Sequence, residues 1–185
     1  EKALRPMIGT PCLMKCNLLG QISDVRVKES SLSGIQKSAA GSLGGDLTSA
    51  EGIARMSQEA ALQFPEQAMP VGHEWDTEIT MNSAIGKMTI TRHHTYKGLD
   101  PESGLEKIDI EVSKKLEPDE NPTLQGARVE LKSASGHGAF LFDSKKGRLV
   151  RSHLKDVSDM EVTAGNQVIP QHVEVDVTVE DATKE

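Results

Sequence analysis

The sequence predicts an α+β domain: an antiparallel β-meander, forming a curved sheet or half-barrel, with a two-helix insert packed on one face. Three observations predict it. Apolar and polar residues alternate from Pro70 almost to the end of the chain. Residues 28–66 repeat instead at helical spacing. Short turn signals separate the alternating runs, as expected of strands that reverse at every turn.

Residues 1–27 read as a β-hairpin. Pro11 to Asn17 form one arm, Leu19-Gly20 the turn, and Ile22 to Val27 the other arm. The helical insert, 28–66, begins weakly with Leu32, Ile35 and Ala39 and is interrupted by Gly41-Ser42-Leu43-Gly44-Gly45-Asp46. A stronger helix is expected from Ser49 to Phe64. Thr48 and Glu51 form a capping box, in which each side chain satisfies a free N–H at the helix start. Ile53, Met56, Ala60 and Phe64 recur on one face, and Pro65 ends the run because it can neither donate to the helix ladder nor fit its interior.

The meander spans 70–180. Trp75, Thr77, Ile79 and Met81 alternate with Glu74, Asp76, Glu78 and Thr80, which predicts that Trp75 is buried. Met88, Ile90 and Tyr96 share a parity. Ile108, Ile110 and Val112 form the next run, then Val129 and Leu131, Phe140 and Phe142, and Val150 and Leu154. Val173, Val175, Val177 and Val179 against Glu174, Asp176 and Thr178 make the cleanest alternation in the chain. In Phe142-Asp143-Ser144-Lys145-Lys146-Gly147-Arg148-Leu149, Asp143 can bond the turn backbone and Gly147 can close the hairpin in the left-handed conformation.

Composition narrows the function classes. The chain has 185 residues, which suits one domain, 1–185. Aromatics make up only 3%, so the core must be aliphatic, with seven Met. Asp and Glu number 28 against 21 Lys and Arg, a formal charge of −7. That balance argues against nucleic acid and against docking on an anionic membrane, both of which require clustered cations. No apolar run is long enough to span a bilayer as a helix. Cys12 and Cys16, four apart on a strand, stand about 13 Å apart. That is beyond disulfide reach, and both read as half-buried thiols.

No catalytic or metal constellation emerges. His73, His93, His94, His137, His153 and His172 lack ligand spacing, and the adjacent His93 and His94 must point to opposite faces of a strand. Gly41-Ser42-Leu43-Gly44 lacks the spacing and the strand–helix context of a nucleophile elbow. The paired acids at Asp76 and Glu78, or at Glu117, Asp119 and Glu120, lie on polar faces or in loops. No catalytic residue, metal ligand or cofactor is therefore expected.

Two fragments carry a resemblance. Met69-Pro70-Val71-Gly72-His73-Glu74-Trp75 opens the meander, and Gly138-Ala139-Phe140-Leu141-Phe142-Asp143 with Gly147-Arg148-Leu149 lies within it. Together they resemble a family of exported proteins of unknown function common in planctomycete bacteria, in which a hairpin and a helical insert precede a P-V-G-x-x-W strand. The resemblance implies export to the periplasm or cell envelope, and that the chain, which starts at Glu1, is the C-terminal part of a longer exported protein. By fold analogy it also implies a half-barrel like those of periplasmic lipoprotein carriers.

The function expected is a non-catalytic extracytoplasmic binding module. Its partner would be an apolar or lipid-like small molecule, or an envelope protein. The expected cleft lies between helix and sheet, with Ile53, Met56, Ala60, Phe64, Met88 and Ile90 as lining residues and Ile79, Ile110 and Val129 on the facing sheet. The alternatives are a structural envelope domain with a filled core and a hydrolase with an unrecognised site.

Overall fold

A computed structural model describes residues 12–17, 19–27, 49–50, 54, 57, 61–83, 86–118 and 127–181. Eight strands run through them: β1 (Cys12–Cys16), β2 (Ile22–Val27), β3 (Glu74–Ser83), β4 (Gly86–Leu99), β5 (Glu106–Pro118), β6 (Ala127–Asp143), β7 (Arg148–Ala164) and β8 (Gln167–Glu180). β1 and β2 pair as an antiparallel hairpin. The other six form one antiparallel sheet in the order β3-β4-β5-β6-β7-β8, a pure meander with β3 and β8 at its edges.

The fold class is accordingly corrected from α+β to antiparallel all-β: all eight elements of the described residues are strands, and helical backbone among those residues is limited to Ala50, Ala54 and Ser57. The first expected helix, around Leu32 to Ala39, lies outside the described residues, as do Ile53, Met56 and Ala60 of the second. The expected C-terminal end of the second helix, Leu62 to Phe64, is an irregular strap. Two of its backbone groups bond to distant parts of the chain. The Phe64 N–H donates to the Leu19 carbonyl at 2.9 Å, and the Gln63 carbonyl accepts from Trp75 Nε1 at 2.9 Å. At Leu62 to Phe64 these tertiary bonds stand where the last turn is expected, and Pro65 denies the next ladder donor.

The turns follow local chemistry. Asn17 Oδ1 accepts from the N–H groups of Leu19 and Gln21, both at 3.0 Å, which organises the β1–β2 connection. Gly20 there has φ +75°, and a Cβ would strike the Leu62 carbonyl oxygen at 1.8 Å, so only glycine fits beneath the strap. Between β6 and β7, Asp143 Oδ1 accepts from the Lys145 and Lys146 N–H groups at 3.1 and 3.0 Å. Gly147 closes that turn at φ +65°, as its sequence predicts.

Register sorts the side chains onto two faces. The polar face carries the row Asp76–His93–Glu111–His137–Lys155–Asp176, one residue per strand across all six strands. The apolar face carries Trp75, Ile79, Met88, Ile90, Ile108, Ile110, Val112, Phe140 and Phe142, and Ile79, Ile108, Ile110, Val112 and Phe142 are buried. Trp75 is half-buried, more open than its parity predicts. The larger departure is β8. Its valines share the apolar face with Ser152, Leu154, Asp156 and Ser158 of β7, yet every residue of β8 is exposed. As the edge strand it has one neighbour, and no described element packs over it.

Candidate functional site

The apolar face departs from a simple core in two ways: it holds a buried polar cluster, and at the β6–β7 turn it opens into clefts. The polar cluster begins with His94, 1% exposed. Strand alternation turns it inward while His93 faces out. Trp75 stacks on it at 4.9 Å and 13°. His94 Nε2 and Thr77 Oγ1 lie 2.9 Å apart, whereas the buried Nδ1 has no partner among the described residues. Burial, then the nearby Arg92 and His93 charges, push its pKa down to about 4, so the imidazole is neutral. His93 is the converse: a hydrogen bond to Asp76 Oδ1 at 2.8 Å raises its pKa.

Lys114 on β5 pairs with Asp156 on β7 across the intervening β6. The two strands lie about 10 Å apart. The bridge passes Gly136, where a Cβ would lie 3.0 Å from Asp156 Oδ2 and 3.2 Å from Val112 Cβ. The glycine therefore clears the path for the ion pair, and Ser158 Oγ donates at 3.3 Å to Asp156 Oδ1, the oxygen that Lys114 pairs with.

At the other end of the face the strap lays Phe64 on Phe142, ring centres 4.7 Å apart. Two clefts flank this contact. The larger, about 430 Å³, is walled by Met14 and Ile22 of the hairpin, Leu62 of the strap, and Phe140, Phe142 and Leu149 of the sheet. Arg148 is the single charged residue among the described residues lining it. The smaller, about 250 Å³, is lined by Phe64, Met69, Tyr96, Glu106, Ile108 and Phe142, with Ser144 at its rim. Here Tyr96 donates to Glu106. That bond, with burial second, pushes the phenol up to about 12, so it remains protonated. Beyond Arg148 a third depression of about 310 Å³ runs between Leu149, Val150, Val179, Glu180 and Asp181.

Of the lining residues expected from sequence, Phe64 lines the smaller cleft. Met88 and Ile90 are half-buried on the same face, opposite Met81 and Ile79, and line neither cleft. Ile53, Met56 and Ala60 lie outside the described residues. Sequence reading missed Met14, Ile22, Leu62, Leu149 and Arg148. The shared parity of Phe140 and Phe142 was the available signal, since two large rings beside Gly136 and Gly138 mark a bulky end and a thin middle on one strand.

On the polar face a chain of hydrogen bonds joins Ser133, Asp159 and His172. Ser133 Oγ donates to Asp159 Oδ2 at 2.8 Å, and His172 Nδ1 lies 2.7 Å from Asp159 Oδ1. A Ser-His-Asp triad needs the imidazole between hydroxyl and carboxylate. Here the carboxylate is in the middle, and His172 and Asp159 are exposed side chains. Among the described residues no group of three His, Cys, Asp or Glu could hold a metal ion, and no helix is long and apolar enough to cross a membrane.

No protein-family model, no curated protein and no solved structure matches the chain.

Proposed function

We propose that this chain is a non-catalytic binding module for an apolar small molecule. The observation that carries the reading is the cleft of about 430 Å³ between the hairpin, the strap and the β6–β7 end of the sheet. It falls within the size range of small-molecule sites, about 300–1,000 Å³, and its walls are aliphatic, aromatic and thioether groups with few polar atoms. Two of its walls, the strap and the hairpin, are joined to each other by the bond from the Phe64 N–H to the Leu19 carbonyl. An extracytoplasmic setting belongs to the same proposal and is supported by the resemblance of Met69–Trp75 and Gly138–Leu149 to the exported family.

The test is titration of the folded protein with a neutral, environment-sensitive dye. Saturable binding near one dye per chain is expected, weakened about tenfold or more by Leu149→Asp, since charge in an apolar wall is costly. Absence of saturable binding to the native protein would overturn the reading and favour a structural domain whose core is filled.

A further inference from the structure

Resting on that reading, we infer that the guest of the larger cleft is a single-chain amphiphile with an anionic head, its tail between Phe140, Phe142 and Leu149 and its head on Arg148. The cleft is apolar along its walls and meets a guanidinium at one margin. Arg148, 36% exposed with its Nε buried, lines both this cleft and the neighbouring depression that holds Asp181, so its charge stands where the two meet. A purely apolar guest would gain nothing from it. A guest with an acidic end would place its tail out of water and its head on a planar donor suited to carboxylate and phosphate.

Recognition of a carboxylate at this point is already realised within the chain. Arg148 Nη1 donates to Asp181 Oδ2 at 2.6 Å, and Asp181 is 17% exposed. Asp181 follows directly on β8, anchored by its N–H to the Val150 carbonyl at 2.9 Å. In this assignment its carboxylate holds the anion position until a ligand head exchanges with it. The cationic turn residues Lys145 and Lys146 lie next in sequence to this margin, although Asp143, Glu180 and Glu106 also face the region. The steering field is therefore local and modest, and the specificity resides in the guanidinium.

The experiment is displacement of a prebound neutral dye from the full chain by dodecanoate, dodecyl phosphate, 1-dodecanol and dodecyltrimethylammonium, each below its micellar concentration. The two anions are expected to displace at concentrations about tenfold below the alcohol and the cation, and their relative order tells a carboxylate head from a phosphate head. Arg148→Gln should remove the anion preference, read as the ratio of dodecanoate to dodecanol displacement within the variant, and Asp181→Asn should strengthen dodecanoate about three- to tenfold by removing its internal competitor. If Arg148→Gln fails to fold, the wild-type preference is followed instead from about 20 mM to about 500 mM salt, where screening should abolish most of it. Equal displacement by dodecanol and the anions overturns the anionic head while leaving apolar binding intact. Failure of the dye itself to bind overturns both.

Discussion

β5 and β8 have nearly the same sequence pattern and opposite fates. In β5, Ile108, Ile110 and Val112 are 0%, 2% and 6% exposed. In β8, Val173, Val175, Val177 and Val179 are 38–53% exposed. Both strands alternate cleanly, and both present their aliphatic residues to the same face of one sheet. Alternation therefore states which side chains share a face and not whether that face is covered. β5 has a paired strand on each side, whereas β8 is an edge with one neighbour. The comparison predicts that stability is concentrated in the centre of the sheet.

The largest effect is expected at Ile108. It is fully buried between Tyr96 and Phe140, its register partners on β4 and β6. Ile108→Ala should cost about 4 kcal/mol, toward the upper end for such truncations, because neighbours from both strands hold the cavity open. Urea denaturation checks it. A loss below about 1 kcal/mol would mean the centre is not packed as described.

Lys114→Met should follow at about 3 kcal/mol, since it leaves the Asp156 carboxylate buried without its cation. Replacing both partners, Lys114→Met with Asp156→Leu, should recover much of that loss. If the double variant is as unstable as the single, the pair is not the source.

The third effect depends on pH. His94 has its folded pKa depressed to about 4 from an ordinary 6.5. Between those values the unfolded chain takes up a proton that the folded chain refuses, so stability falls as pH drops from about 6.5 to about 4. The sum is on the order of 2–3 kcal/mol. His93 acts in the other direction. Its raised pKa adds stability below about 6.5, which is lost as pH rises through the folded value. As a mostly solvated pair with Asp76 it contributes under about 1 kcal/mol. Stability measured across this range in wild type and in His94→Phe should show the acid-side fall reduced in the variant. Parallel curves would remove His94 as its cause.

These effects also mark what was legible in the sequence. The six-stranded meander, the Asp143–Gly147 turn and the opposite orientations of His93 and His94 all follow from local chemistry, period two and turn donors, and all stand in the fold. The all-β class did not follow, because the stripe ending at Phe64 has helical spacing while the strap 62–64 is bonded to Leu19 and Trp75. The clefts were only partly legible. Phe64 reaches one of them, but Met14 and Ile22 come from a hairpin far away in sequence, and only tertiary placement brings them to Leu149. The Lys114–Asp156 pair was equally hidden, since its partners are 42 residues apart and meet because Gly136 leaves room between them.

The smallest effect is expected in β8, where the comparison is most easily broken. Val175 and Val177 are both 43% exposed and lie opposite Asp156 and Leu154. Thr keeps the branched shape and strand preference of Val and adds a hydroxyl that water can satisfy at an exposed position. Val175→Thr and Val177→Thr should therefore each change stability by less than about 0.5 kcal/mol. The same exchange at Val112, 6% exposed in β5, should cost about 1–2 kcal/mol for burying a hydroxyl. If the β8 variants instead lose as much as Val112→Thr, the valines are covered in solution. The sedimentation coefficient of wild type against Val175→Thr then distinguishes cover by a second copy, lost in the variant, from cover within the chain, which leaves the mass unchanged.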